Sequence, residues 1–255
     1  MAEPLVRCDV VDEIATITLD SPANRNALSR ALVDDLHTAL DRAEQSDVRV
    51  IVLTHTGNTF CAGADLKERS AGPVDSSKMV TVFRRLMESR QPTIAAVKGA
   101  VRAGGVGLMA SCDLVVVPAT ADFAFTEVRI GAAPAIISVP IFRRCSAAQL
   151  AAAFLTGEKF DATRAREIGL VSHVAEHAEG VDVQVRLLVA GLLDAEPEAV
   201  AATKTILRTV PGEALDTAFP RMQRLSEALF ESPAAAEGMQ AFFEKRPPAW
   251  ARGRR

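Results

Sequence analysis

The run Thr93-Ile-Ala-Ala-Val-Lys-Gly-Ala-Val-Arg-Ala-Gly-Gly-Val-Gly-Leu-Met-Ala-Ser-Cys-Asp-Leu-Val-Val-Val-Pro118, continued by Ala121-Asp-Phe-Ala-Phe-Thr-Glu-Val-Arg-Ile-Gly-Ala-Ala-Pro134, decides the fold. It opens as an apolar strand over Thr93–Val97, turns at a glycine, and enters a helix of small residues near Gly104. It leaves through a buried strand, Leu114–Val117. A strand, a glycine turn and a helix start leave backbone N–H groups facing outward at the positive end of a helix dipole, which suits a developing anion. Further on stands Glu127, a lone carboxylate between Phe123–Phe125 and the Gly131/Pro134 turn. An oxyanion cradle with one acid nearby is the chemistry this stretch offers.

Upstream, Thr54-His-Thr-Gly-Asn-Thr-Phe-Cys-Ala-Gly-Ala-Asp-Leu-Lys67 carries a buried strand into a sharp turn. Gly63 lets the backbone reverse and bares the next amide, with Asp65 placed to hold the turn, so a second donor is expected here. Before it, Ile14–Leu19 alternates as a half-buried strand and Val48–Leu53 is an apolar run of buried-strand length. Between them Ser29 is an N-cap, Leu28 and Val33 form a staple, and Leu32, Val33, Leu36, Ala39, Leu40 and Ala43 share one helix face. Strand, helix, strand at this spacing predicts a crossover within a parallel sheet. Polar Glu68–Ser77, with Gly72-Pro73, reads as a mobile loop before a helix over Met79–Glu88.

Downstream, Ser146 and Gln149 form a capping box for a helix over Ala147–Leu155, closed by Gly157. Asp161 caps a shorter helix ended by Gly169, and Leu170–Val174 reads as the last strand. From Val181 the chain is helical, with Pro197 and Ser232-Pro233 as helix starts, Pro211-Gly212 as a break and Pro220 as a kink. The expected organisation is an α/β core over 1–195 and a helical region over 196–255, with no fixed-period repeat.

Composition narrows the function. A net charge of −3 over 255 residues argues against a dedicated nucleic-acid surface. No apolar run reaches the ~18 residues of a membrane span. Early acids and strand alternation in residues 1–20 read as mature protein rather than signal peptide. The four cysteines make no C-x-x-C pair, and Cys112 sits in an apolar run as a buried thiol, so the expectation is a soluble cytoplasmic protein. The histidines lack the spacing of a zinc site or a Ser/His/Asp triad, and His55 reads as a packed residue.

Four segments resemble the crotonase, or enoyl-CoA hydratase/isomerase, superfamily. Asn24-Arg25-Asn26-Ala27-Leu28 is similar to its CoA-binding loop, which ends N-A-L/M. Phe60-Cys61-Ala62-Gly63-Ala64-Asp65-Leu66-Lys67 resembles its oxyanion segment, Ala95–Asp113 its glycine-rich helix and strand, and Glu237–Arg246 its C-terminal E-G-x-x-A-F-x-E-K-R. The resemblance implies a ClpP-like spiral of repeated β-β-α units, a C-terminal helical trimerisation region, and a homotrimer or dimer of trimers. It implies an acyl-CoA thioester as substrate, with coenzyme A part of that substrate and neither a further cofactor nor a metal. The amides of Ala64 and Gly104 would hold the thioester oxygen, each such donor being worth about 2.7–4 kcal/mol in the transition state. Arg25, Ala27, Ala62, Asp65, Leu66, Lys67 and Gly105 would line the CoA path, and Phe242 and Lys245 would reach the adenine end.

The chain departs from the family at one acid. Two-acid hydratases of the family carry a Glu in the glycine-rich helix and another in the later P-E segment. Here Gly107 stands at the first position, Ala103 replaces the first glycine of the triplet, and Glu127 matches the second acid. Glu127 alone can serve as acid and base, given apolar walls that raise its pKa. The first reading is a hydratase adding water across the 2,3 double bond of an acyl-CoA, and the run Glu127–Ser138 resembles the bacterial methylglutaconyl-CoA hydratase branch. A Δ3,Δ2-enoyl-CoA isomerase, which needs one base only, is the second, and a non-catalytic acyl-CoA-binding subunit the third. Arg102 and Arg129 flank the site, either to meet a substrate carboxylate or as solvated or inter-subunit arginines, and Arg129 could pair with Glu127.

Overall fold

The computed structural model describes residues 3–44, 47–73 and 75–251. The chain enters as an antiparallel hairpin, β1 (Val6–Val11) and β2 (Ile14–Leu19). Helix α1 (Arg30–Glu44) then carries it back so that β3 (Val50–His55) pairs parallel to β2, Ile14 opposite Val50. All six residues of the expected apolar face of α1 are buried. There follow β4 (Thr59–Cys61), α2 (Leu66–Ala71), α3 (Ser77–Glu88), β5 (Thr93–Ala96), β6 (Ala100–Arg102) and α4 (Gly104–Ala110). Next come β7 (Leu114–Pro118), β8 (Asp122–Ala124), α5 (Ala135–Phe142), α6 (Ala147–Thr156), β9 (Lys159–Asp161), α7 (Ala162–Glu167) and β10 (His173–Ala175). Four helices close the chain: α8 (Ala178–Leu193), α9 (Pro197–Thr209), α10 (Leu215–Phe230) and α11 (Pro233–Glu244).

Two sheets share the work. The large one runs β1-β2-β3-β5-β7-β10 and the small one β4-β6-β8-β9. Three times in succession a strand of the large sheet hands over, across a short turn, to a strand of the small one: β3 to β4, β5 to β6, β7 to β8. Because β3, β5 and β7 pair in parallel, and β4, β6 and β8 likewise, the chain winds as a spiral of stacked coils. The coils differ in length, since α2 and α3 follow β4 whereas α4 alone follows β6. That is why a structural repeat leaves no fixed period in the sequence.

One face of the large sheet joins the main core with α1, α3 and α4. The other packs Val50, Val52, Ile94, Ala96 and Val116 against Val181, Val185 and Val189 of α8. Strands covered on both faces read as continuous apolar runs, which explains Val50–Leu53 and Val115–Val117. Among the described residues no helix is long and apolar enough to cross a membrane.

Three sequence expectations shift. The segment expected as a loop over Glu68–Ser77 begins inside α2, because Asp65 caps it by accepting from the amides of Lys67 and Glu68. The last strand is His173–Ala175 rather than Leu170–Val174. Leu170 and Val171 are instead buried in the core, and the Ser172 hydroxyl accepts from the Val115 amide at the approach to the strand. The strand expected over Val48–Leu53 runs from Val50 to His55, its start set by the register with β2.

A buried ion pair ties α9 to this scaffold. The Lys204 ammonium, 6% exposed, lies 2.8 Å from an Asp113 oxygen and donates to the carbonyls of Leu86 (2.8 Å) and Gln91 (2.9 Å). Asp113 in turn accepts from the amide and hydroxyl of Thr93, which opens β5. Removing one partner leaves a carboxylate and two carbonyls poorly satisfied. Lys204→Met is expected to lower unfolding stability by about 3–5 kcal/mol, measured by urea denaturation; a loss within error would mean that the pair contributes no net stability.

Candidate active site

The site is assembled where the turn after β4 meets the start of α4. After β2 the chain makes a short 3₁₀ turn, Pro22–Asn24, then passes through Arg25 and Asn26, both left-handed with φ of 59° and 53°. Asn26 is fully buried and spends its side chain on the neighbouring coil. Its Nδ2 donates to the carbonyls of Thr56 (3.1 Å) and Thr59 (2.9 Å), and its Oδ1 accepts from the Ser21 amide (2.8 Å). Segment 25–28 is thereby laid beside segment 62–65. Ala62 N–H donates to the Arg25 carbonyl (3.0 Å), Leu28 N–H to the Gly63 carbonyl (2.8 Å), and Asp65 N–H to the Leu28 carbonyl (3.4 Å).

In this short pairing the Ala64 amide is left over. Gly63 has φ 90° and its own N–H lies 3.4 Å from Cys61 Sγ, so the next peptide turns its N–H the other way. The second free amide belongs to Gly104, the first residue of α4. It is set by Ala103, which adopts φ 47° and ψ −121°, a region that L-residues rarely occupy. Ala103 N–H donates to Ala124 O at 2.9 Å, anchoring that turn to β8. A Cβ placed on Gly63 would stand 3.5 Å from the Gly104 nitrogen, and one on Gly104 would stand 3.8 Å from the Ala64 nitrogen, so the two amides are neighbours. Neither is hydrogen-bonded to an acceptor among the described residues.

Glu127 lies on the 3₁₀ turn Thr126–Ile130 that follows β8. Its carbonyl accepts from Ala132 N–H (3.0 Å), closing the turn. Its side-chain Oε2 is buried without a hydrogen-bond partner. Burial pushes its carboxyl above the usual range, only partly opposed by a hydrogen bond from its own backbone amide. The Arg129 pairing does not form: Arg129 Nε donates to the Thr156 carbonyl at 3.2 Å. Arg102 is not open to substrate either, being held by Asp122 at 2.7 Å.

These elements converge on a cleft of about 750 Å³. Ala62, Ala64, Leu66, Gly104 and Glu127, all singled out from sequence, line it together. Arg25, Ala27, Asp65, Lys67, Gly105, Phe242 and Lys245 lie outside its lining. Ala27 is buried, Asp65 is the cap of α2, and Arg25 and Lys67 are exposed near its rim segments. Gly105 faces inward, where a Cβ would meet the Cys61 Cβ at 2.7 Å. Phe242 is 79% exposed on α11, and Lys245 is the left-handed residue that ends that helix. His55 is structural, its Nε2 accepting from the Lys98 amide at 2.9 Å.

The profile of the enoyl-CoA hydratase/isomerase family matches residues 10–253 of this chain. The chain belongs to that family. It is 33% identical to the mitochondrial enoyl-CoA hydratase of Pongo abelii over 91% of this chain and 82% of the relative. It is 28% identical to the methylmalonyl-CoA decarboxylase of Escherichia coli over 97% and 98%. Among solved structures, the enoyl-CoA hydratase of Mycobacterium smegmatis superposes with a TM-score of 0.92 at 30% identity, covering 97% of this chain and 99% of that one. The fold is therefore the crotonase fold and the protein is an enzyme of that family.

The far walls of the cleft come from α3, expected from the sequence as a helix over Met79–Glu88, and from α5, which the sequence does not announce as a helix; Met79, Phe83, Ile136 and Ile137 face the cleft. Helix α5 is rich in β-branched residues and contains Pro140, so its local signal is weak and packing on α4 holds it. The same reading treated Asn26 as part of a motif and not as the residue that welds two coils.

Ala103 offers a direct test of the backbone argument. A glycine there would relieve a strain of about 1–3 kcal/mol while adding about 0.5–1 kcal/mol of unfolded-state entropy. Ala103→Gly is expected to raise the urea midpoint, by about 1 kcal/mol in stability. A lower midpoint would show that this turn is relaxed as it stands.

Proposed function

We propose that this enzyme adds water across the 2,3 double bond of an acyl-CoA thioester, with Ala64 and Gly104 as oxyanion donors and Glu127 as sole acid and base. The observation that carries the reading is one cleft holding two adjacent unpartnered amides and one buried, unpartnered carboxylate oxygen. The ionised Glu127 takes a proton from water as the water oxygen bonds to C3. The displaced π electrons move to C2 and the thioester oxygen, where two preorganised N–H groups stabilise the charge. Glu127 then returns the proton to C2, and the sum is addition of one water. Coenzyme A enters and leaves as part of the substrate, and no other cofactor takes part in these steps.

One observation favours a second reading. The space beside Gly107, where two-acid members of the family carry their other carboxylate, is filled by apolar Ile137 and Phe83. A dry wall there suits proton transfer between C2 and C4, the isomerase reaction, which needs Glu127 but no water. Nothing observed favours the non-catalytic reading.

Purified protein assayed with crotonyl-CoA, 3-methylglutaconyl-CoA and 3-hexenoyl-CoA separates these readings. Loss of enoyl absorbance with a 2-enoyl substrate supports hydration; conversion of the 3-enoyl substrate alone makes it an isomerase. In either case Glu127→Gln is expected to lower kcat/KM by about 10²–10⁴-fold, and an active variant would remove Glu127 from the mechanism. Because the base must be ionised, activity should rise with pH through a pKa above the ordinary glutamate value. The stability sign runs the same way. Below the unfolded-state pKa both states are protonated, whereas above the raised folded pKa the native protein holds a buried charge. Glu127→Gln should therefore be more stable than the wild type at neutral pH, and the difference should vanish in acid.

We infer further that the chain, with its core over 1–195 and helical region over 196–255, works as a homotrimer or a dimer of trimers. The last helices expose Leu207, Leu215, Phe219, Phe230, Phe242 and Phe243, large apolar side chains of the kind that a subunit contact covers. A partner covering this surface could also bring Phe242 and Lys245 to a neighbouring cleft. Four free, buried cysteines suit a reducing compartment such as the cytoplasm. Light scattering should give three or six times the 27.2 kDa chain mass, and a monomer would overturn this inference.

A further inference from the structure

Gly107 lies one helical turn beyond Gly104 on α4, on the same side of the helix. A Cβ at Gly107 would stand 2.5 Å from Ile137 Cγ2, 2.8 Å from Ile137 Cβ and 3.1 Å from Phe83 Cζ. Ile137 and Phe83 are themselves buried, yet both line the cleft. Three helical residues rise about 4.5 Å, so this contact sits beside the carbons next to a thioester held at the Ala64 and Gly104 amides. The floor under the first acyl carbons is thus apolar and close-packed, with no slack for added atoms.

Charge tells the same story. Along the wall from Thr126 to Ile137 the only charged residue lining the cleft is Glu127. The lining cations come from the α1–α3 side, and each has a partner. Arg30 Nη2 donates to the Pro73 carbonyl (3.3 Å), Arg69 Nη2 to Ser76 Oγ (3.0 Å), and Lys78 pairs with Asp34 (2.5 Å). A carboxylate on the acyl group would be desolvated against this wall, near Glu127, with the lining cations on the opposite, α1–α3 side.

Resting on the acyl-CoA reading above, we propose that Ile137 and Phe83 are the specificity-determining residues of this site, forming an apolar floor that admits an uncharged, unbranched acyl group. Ile137 bears directly on the substrate's C2 to C4, and Phe83 backs it from α3. The preference is therefore against a methyl branch near C3 and against a terminal carboxylate, for two different physical reasons.

Calorimetric binding of butanoyl-CoA, 3-methylbutanoyl-CoA and glutaryl-CoA tests this without turnover, since none of the three carries a double bond. The wild type is expected to bind butanoyl-CoA about tenfold or more tightly than either of the others, the usual effect of one misplaced methyl group or carbon. Ile137→Ala should narrow the gap for 3-methylbutanoyl-CoA about tenfold, and leave glutaryl-CoA disfavoured because it adds no cation. Ile137→Val, the milder change, should move the same ratio in the same direction should the alanine variant fold poorly. Glutaryl-CoA binding the wild type as tightly as butanoyl-CoA, or a branch ratio unmoved in both variants, would overturn the assignment. Binding of no acyl-CoA at all would overturn it together with the acyl-CoA reading, whereas inactivity with normal binding and the expected ratios would sink only the proposed reaction.

Discussion

The arrangement depends on keeping two backbone amides unpaired, side by side, inside a folded protein. Backbone N–H groups away from the surface are almost always bonded within the fold, so two half-buried ones left free side by side at a cleft require structure that denies each an internal acceptor. Here the denial is geometric. Gly63 turns its own N–H back to Cys61 Sγ and the following one outward, while Ala103 reaches a left-handed conformation just before α4 begins. The spiral then brings these turns together, because β4 and β6 are adjacent parallel strands and each turn lies at the end of one. Asn26 supports the first turn by bonding Thr56 and Thr59, and Ala103 ties the second to Ala124 of β8.

Glu127 is placed by the next coil and tuned by what surrounds it. Strand β8 pairs with β6, so the 3₁₀ turn after β8 emerges beside the start of α4. Phe125, just before that turn, is fully buried and packs against Phe154 and Phe160, which fixes the direction in which Glu127 leaves the sheet. An apolar setting raises the carboxyl pKa, and neither flanking arginine pairs with it: Arg102 is bound to Asp122 and Arg129 donates to the Thr156 carbonyl. The price is a native state carrying an unsatisfied polar atom, a burden that the large two-faced core is able to bear.

Much of this was legible in the residues. Local rules sufficed where the signal is local: the face of α1, the Ser146, Asp161 and Ser232 caps, and the helix start at Gly104 all stand where side-chain chemistry puts them. The glycines at 63 and 104 marked the amide pair because a turn glycine and a helix N-terminus each have a backbone reason to be there. Legibility failed where tertiary packing decides. Helix α5 looks like a loop because Ile136, Ile137, Val139 and Pro140 are poor helix formers, and only α4 beneath it makes the helix stable. The spiral leaves no fixed period, because its coils are uneven, and was legible through the family resemblance rather than through any repeat. The partners of Arg102 and Arg129 lie far along the chain, at Asp122 and Thr156, and no spacing rule announces them.

The single acid is a consequence of packing as much as of one residue's identity. A carboxylate at 107 would need the volume that Ile137 and Phe83 occupy, since even a methyl group there collides with Ile137 and presses on Phe83. Ile137 cannot simply withdraw: it is one of the three residues by which α5 is buried, and α5 lacks the propensity to stand alone. Gly107 and Ile137 therefore form one solution to the space between α4 and α5, in which a backbone without a side chain accepts a β-branched one from across the interface. A second acid would require both positions to change together, with α5 finding other contacts. The chemistry left to the site is what one carboxylate and two amides can perform against a dry wall, and the wall is part of what holds the fold.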